Sequence, residues 1–89
     1  MSQAATPPVP RVLDYRGLRC PMPIVRLAAD TRGEPAGTTV TVLWTDPAAR
    51  SDLAAWARMR GANVAEVVPA EPLDGVEAWA TTLVLGPPR

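Results

Sequence analysis

From Thr39 to Thr45 the chain reads TVTVLWT, alternating polar and apolar residues, and Asp46-Pro47 follows at once. A period of two puts the apolar members on one face of a half-buried strand. Asp-Pro then opens a helix, because Asp46 accepts backbone N–H groups as N-cap and Pro47 at N1 has no N–H to lose. Ala49, Leu53, Trp56 and Ala57 form the buried stripe of that helix, and Gly61 after Arg60 ends it. A strand that hands over to an amphipathic helix within two residues demands a fold in which helices cover a sheet.

The same switch occurs upstream. Val12 to Tyr15 reads as a short strand, and Pro21 to Thr31 places Ile24, Leu27, Ala28 and Thr31 at the i, i+3, i+4, i+7 spacing of one helical face. Downstream, Ala62 to Val68 and Glu77 to Leu85 are β-rich runs. Pro69, Pro72 and Asp74-Gly75 lie between them and predict an antiparallel pair with a longer connection. The order is therefore β-α-β-α-β-β. The predicted fold class is an α/β (α+β) two-layer sandwich, a four-stranded mixed sheet with both helices on one face. Thr39, Thr41 and Glu66 suit the other, partly polar face.

With 89 residues, the chain has room for one hydrophobic core. Residues 1–10 read as a disordered lead, 11–86 as the single domain and 87–89 as a tail. Nine basic and nine acidic groups cancel, which removes the broad electrostatic drive toward nucleic acid or anionic membranes. Neither direct DNA binding nor membrane association is expected. No apolar run approaches the ~18 residues of a membrane span, and the N-terminus lacks the pattern of a signal peptide. One cysteine cannot form an internal disulfide, so a free thiol in a reducing, cytoplasmic setting is expected.

That cysteine lies in GLRCPMP, residues 17 to 23. Pro21 and Pro23 fit N1 and N3 of the first helix, where backbone N–H groups have no helical partner. Cys20 then sits at a helix N-terminus with Arg16 and Arg19 nearby, an environment that favours thiolate over thiol. Gly17 gives a tight turn and leaves the sulfur approachable. Two readings remain: a reactive thiol, or a small buried hydrophobe. The inventory excludes other thiol chemistry, since there is no C-x-x-C, no His for a Cys-His pair and no second soft ligand for a metal. A reactive Cys20 would accept a group from one protein and hand it to another.

The run LDYRGLRCPMP, Leu13 to Pro23, with TDPAARSDLAAW, Thr45 to Trp56, and Gly61, resembles the TusA (SirA-like) sulfur-carrier family. The resemblance spans about Val12 to Leu85 and implies the sandwich described above. It also implies a sulfurtransferase of the carrier type, in which Cys20 takes sulfane sulfur as a persulfide from a cysteine desulfurase or rhodanese-type donor. The sulfur then passes to a downstream acceptor protein, for tRNA thiolation, cofactor synthesis or sulfur metabolism, with no metal or organic cofactor. Arg19, Gly17, Pro21 and Pro23 would support the helix start and the thiolate. Asp14 and Asp46 match the acidic positions of the two motifs.

Departures from the family pattern are Met22 between the prolines, where an acidic residue is common, and Ala28 and Ala29 mid-helix, where basic residues are common. Only Arg26 is basic there. The rival reading is a noncatalytic regulatory or interaction module whose Cys20 carries no sulfur. Asp46 is explained by capping alone and Asp14 by an Asx-type bond. Trp44, Trp56 and Trp79 read as core or sheet-face residues, because no basic residues interleave with them.

Overall fold

The computed structural model describes residues 11–86; the segments read above as lead and tail lie outside the described residues. The elements run β1 (Arg11–Asp14), α1 (Met22–Asp30), β2 (Thr39–Trp44), α2 (Ala48–Arg60), β3 (Asn63–Leu73) and β4 (Val76–Val84). The strands form one sheet in the order β1-β2-β4-β3. β1 and β2 are parallel, with Leu13 opposite Val42, whereas β4 is antiparallel to both neighbours and sets Trp79 opposite Trp44. This is the predicted mixed sheet in the predicted β-α-β-α-β-β order.

Alternation in β2 does what a period of two requires: Val40, Val42 and Trp44 are buried. They meet Leu27 of α1 and Ala49, Leu53 and Ala57 of α2 in a single core, with Leu13, Tyr15, Leu83 and Leu85. Both helices therefore bury their stripes against one sheet face. Burying each large aliphatic side chain contributes about 1.5–3 kcal/mol relative to exposure, which makes this layer contact the main source of stability. On the opposite face Thr41 and Thr82 meet through their hydroxyls at 3.1 Å.

Three local expectations are corrected. α1 starts at Met22, so Pro21 takes the N-cap position and Pro23 the second helical position. Pro23 is buried beside Leu27, while Ala28 is exposed. The helix has thus rotated its buried stripe toward its first turn. Trp56 is only partly buried, at the margin of the core.

The third correction concerns β3, which runs straight through Pro69 and Pro72, leaving only Asp74-Gly75 as the connection. Both turn residues have positive φ, +49° and +79°, as a two-residue hairpin turn with the twist of its strands requires. Prolines are tolerated because β3 is an edge strand, where a missing N–H on the outer side breaks no ladder bond. The pairing is irregular between Ala70 and Leu73, around Pro72.

Candidate functional site

β1 and β2 run parallel, and each leads from its C-terminal end into a helix, so the starts of α1 and α2 meet at one end of the sheet. Crevices outside the carboxyl ends of parallel strands are the usual ligand position in open α/β sheets. The loop from Asp14 to Cys20 lies here, and its backbone is fixed by side chains from elsewhere. Gly17, with φ +88°, donates its N–H to Thr45 Oγ1 at 2.9 Å. Few residues but glycine adopt that conformation. A side chain on Gly17 would point toward Leu73 at the hairpin tip.

Asp14 accepts both the Arg16 N–H, at 3.1 Å, and two guanidinium bonds from the same arginine, at 2.8 and 2.7 Å. The guanidinium beside it holds the Asp14 carboxyl below its usual range. Arg16 also donates to the Glu71 carbonyl at 2.8 Å, tying the loop to β3. Arg16 and Asp14 are therefore a brace for the loop, paired with each other.

Cys20 is exposed, directly before the α1 N-cap, with its peptide bond to Pro21 in the cis form. Its N–H donates to Asp46 Oδ2 at 2.9 Å, and Asp46 Oδ1 accepts the Ala48 N–H at 3.0 Å. α2 begins at Ala48 with Pro47 at its N-cap, one place later than predicted, and Asp46, just before it, joins the start of α2 to the cysteine. These two backbone N–H groups hold its carboxyl below the usual range, aided by the charge of Arg19. The thiol itself donates from Sγ to Asp52 Oδ2 at 2.9 Å.

This geometry reverses the expected electrostatics of the sulfur. The hydrogen bond to Asp52, then partial desolvation and the negative charges of Asp52 and Asp46, push the Cys20 thiol up rather than down. Nor does the start of α1 offer the sulfur free donors. Met22 N–H goes to the Arg19 carbonyl, Ile24 and Val25 N–H both go to the Pro21 carbonyl, and the prolines have none. Arg19, expected to stabilise a thiolate, exerts its charge on Asp46 instead. The arrangement holds the thiol on the surface, hydrogen-bonded to a carboxylate that favours its protonated form.

Residues 11–79 match the family model for sulfurtransferase TusA. The chain belongs to the TusA family. Among its relatives, "Putative sulfur carrier protein YrkI" of Bacillus subtilis is 41% identical over 56 residues, covering 63% of this chain and 75% of YrkI. "Sulfur carrier protein TusA" of Pseudomonas fluorescens is 40% identical over 53 residues, 60% of this chain and 64% of that one. "Putative sulfur carrier protein YrkF" of Bacillus subtilis is 42% identical over 50 residues, 56% of this chain; the match spans only 27% of YrkF.

In this TusA-family chain the residues singled out from the sequence do not all gather at the sulfur. Cys20 and Asp46 are in contact; Gly17 and Asp14 act on the loop that carries Cys20, and Pro23 is packed in the core. Asp52 is the residue that sequence reasoning missed as a partner of the thiol. Its only signal was its place in TDPAARSD, six positions after Asp46 and near the start of the same helix. No helix among the described residues is long and apolar enough to cross a membrane.

Proposed function

We propose that the chain is a cytoplasmic sulfur carrier that takes sulfane sulfur on Cys20 as a persulfide and gives it to an acceptor protein. The observation that supports this reading is the exposed Cys20 thiol hydrogen-bonded to the Asp52 carboxylate. In the loading step, Cys20 Sγ attacks the terminal sulfur of a donor persulfide, from a cysteine desulfurase or a rhodanese-type protein. The new S–S bond forms as the donor's S–S bond breaks, and the Sγ proton moves to Asp52. The departing donor thiolate then takes that proton, so a thiol and a persulfide exchange places with no net oxidation.

Unloading is the same step reversed. An acceptor thiol attacks the outer sulfur and gives its proton to Asp52, the S–S bond to Cys20 breaks as the new one forms, and Asp52 passes that proton to the departing Cys20 thiolate. Asp46 keeps the Cys20 backbone in place meanwhile, and the Arg16–Asp14 brace keeps the loop from swinging. Neither a metal nor an organic cofactor takes part.

Incubation with a cysteine desulfurase and cysteine tests the reading by intact mass. One added sulfur, removed by reductant and absent in Cys20→Ser, is the expected result. A wild-type protein that stays unlabelled across several donors would instead indicate an interaction module.

A further inference from the structure

A second opening lies beside the Cys20 loop, a cleft of about 510 Å3 whose walls include Trp44, Thr45, Pro47, Arg50, Val76 and Trp79. Three of these, Thr45, Pro47 and Val76, also line the hollow next to Gly17, Arg19 and Asp46. Asp46 in turn holds the Cys20 N–H. An occupant of the cleft would therefore lie beside the loop that carries Cys20.

The cleft has an unusual wall. Trp44 and Trp79 face each other across β2 and β4 with ring centroids 6.3 Å apart and planes inclined by 23°. The Arg50 guanidinium carbon lies 5.7 Å from one ring centroid and 5.3 Å from the other. Cation–π contact with two indoles fixes the guanidinium without using its N–H donors. Among the described residues the ion pairs are Arg11–Glu34 and Arg16–Asp14, and Arg50 has no carboxylate in range. Glu77 also lines the cleft but does not reach it. A cation immobilised before any partner arrives spends little further entropy when it is paired, and a guanidinium edge matches a carboxylate in a two-bond fork.

We propose that this cleft is the docking site for an acidic, partly apolar segment of the protein that exchanges sulfur with Cys20. A carboxylate of that segment takes the donors of Arg50, and an adjacent apolar side chain packs on Trp79 and Val76. The inference rests on the carrier reading only in taking the occupant to be a sulfur-exchange partner. A nucleic acid does not fit the same wall, because Arg50 covers the indoles on which an unpaired base would have to stack.

The test is a titration of the whole chain, followed by the tryptophan indole N–H signals in NMR, with two short peptides that alternate Leu with Glu or Leu with Lys. The Leu-Glu peptide is expected to shift Trp79 and Trp44 but not Trp56, and to bind more weakly as salt rises. In Arg50→Gln its affinity should fall about fivefold, the scale of one exposed charge pair. Equal binding of the Leu-Lys peptide, unchanged binding in Arg50→Gln, or a stronger response to a single-stranded RNA oligonucleotide would each overturn the proposal. The readout involves no sulfur transfer, so a Cys20 that fails to load would count against the carrier reading and leave this result standing.

Discussion

Cys20 Sγ and Asp52 Oδ2 are 2.9 Å apart across 32 residues of chain, so a surface thiol before one helix is bonded to a carboxylate within the next. The bond exists only because parallel β1 and β2 bring the starts of α1 and α2 together. It keeps the proton on sulfur at rest, and in the proposed transfer Asp52 would accept that proton during attack.

Asp52→Asn separates these two effects. Without the carboxylate charge the Cys20 thiol falls toward its ordinary value, so alkylation by iodoacetamide at neutral pH should speed up. Persulfide transfer should nevertheless slow, by on the order of 100-fold, because the proton acceptor is gone. Measuring both rates on the same variant is decisive. If transfer accelerates in step with alkylation, Asp52 merely perturbs the thiol.

Acid should loosen the site through Asp46 and Asp14. Both carboxyls titrate lower in the folded chain than unfolded, Asp46 through the Cys20 and Ala48 N–H groups and Asp14 through Arg16. Their stabilisation is thus fully present above the unfolded value of about 3.9 and is lost as pH falls through the folded values. Thermal melts from pH 6 down to pH 2 should show stability falling below about pH 4. In the double variant Asp14→Asn, Asp46→Asn that acid-dependent loss should shrink; an unchanged profile would locate the acid sensitivity elsewhere.

Gly17→Ala should cost roughly 1–2 kcal/mol, since φ +88° is a conformation that L side chains rarely adopt. The added methyl would sit 3.6 Å from Leu73 Cδ2, an ordinary contact, so the loss comes from the backbone and not from a clash. Urea unfolding measures it. A variant as stable as the parent would mean that the loop relaxes to another path, and the Gly17 N–H bond to Thr45 would then be absent.

What could be read in the chain before its structure follows the range of each interaction. The strand over Thr39 to Trp44 and the helix after Asp46-Pro47 were legible because periodicity and capping act within a few residues. The second half of β3, from Pro69 on, was not, because Pro69 and Pro72 are turn signals locally, and only the place of β3 at the sheet edge makes them acceptable in a strand. Ala28 was placed inside and Pro23 was not recognised as core, since the choice between two candidate stripes is made by what the helix packs against. The position of Cys20 at a helix start was readable, but its electrostatics were not. Those depend on Asp52 and Asp46, which the fold delivers from a distance, and they outweigh the arginines adjacent in sequence.

The bond from Cys20 to Asp52 also makes the sulfur a chemical reporter of whether a given copy is folded. Because the folded thiol titrates higher than the unfolded one, the bond supports the fold below the unfolded value of about 8.5 and ceases to as pH climbs through the folded value. At neutral pH the unravelled copy therefore carries the larger share of thiolate. Electrophiles and oxidants attack thiolate, so they are expected to react with the unfolded chain ahead of the folded one. The same carboxylate that holds the thiol thus slows, while the chain is folded, the reagents that attack its thiolate.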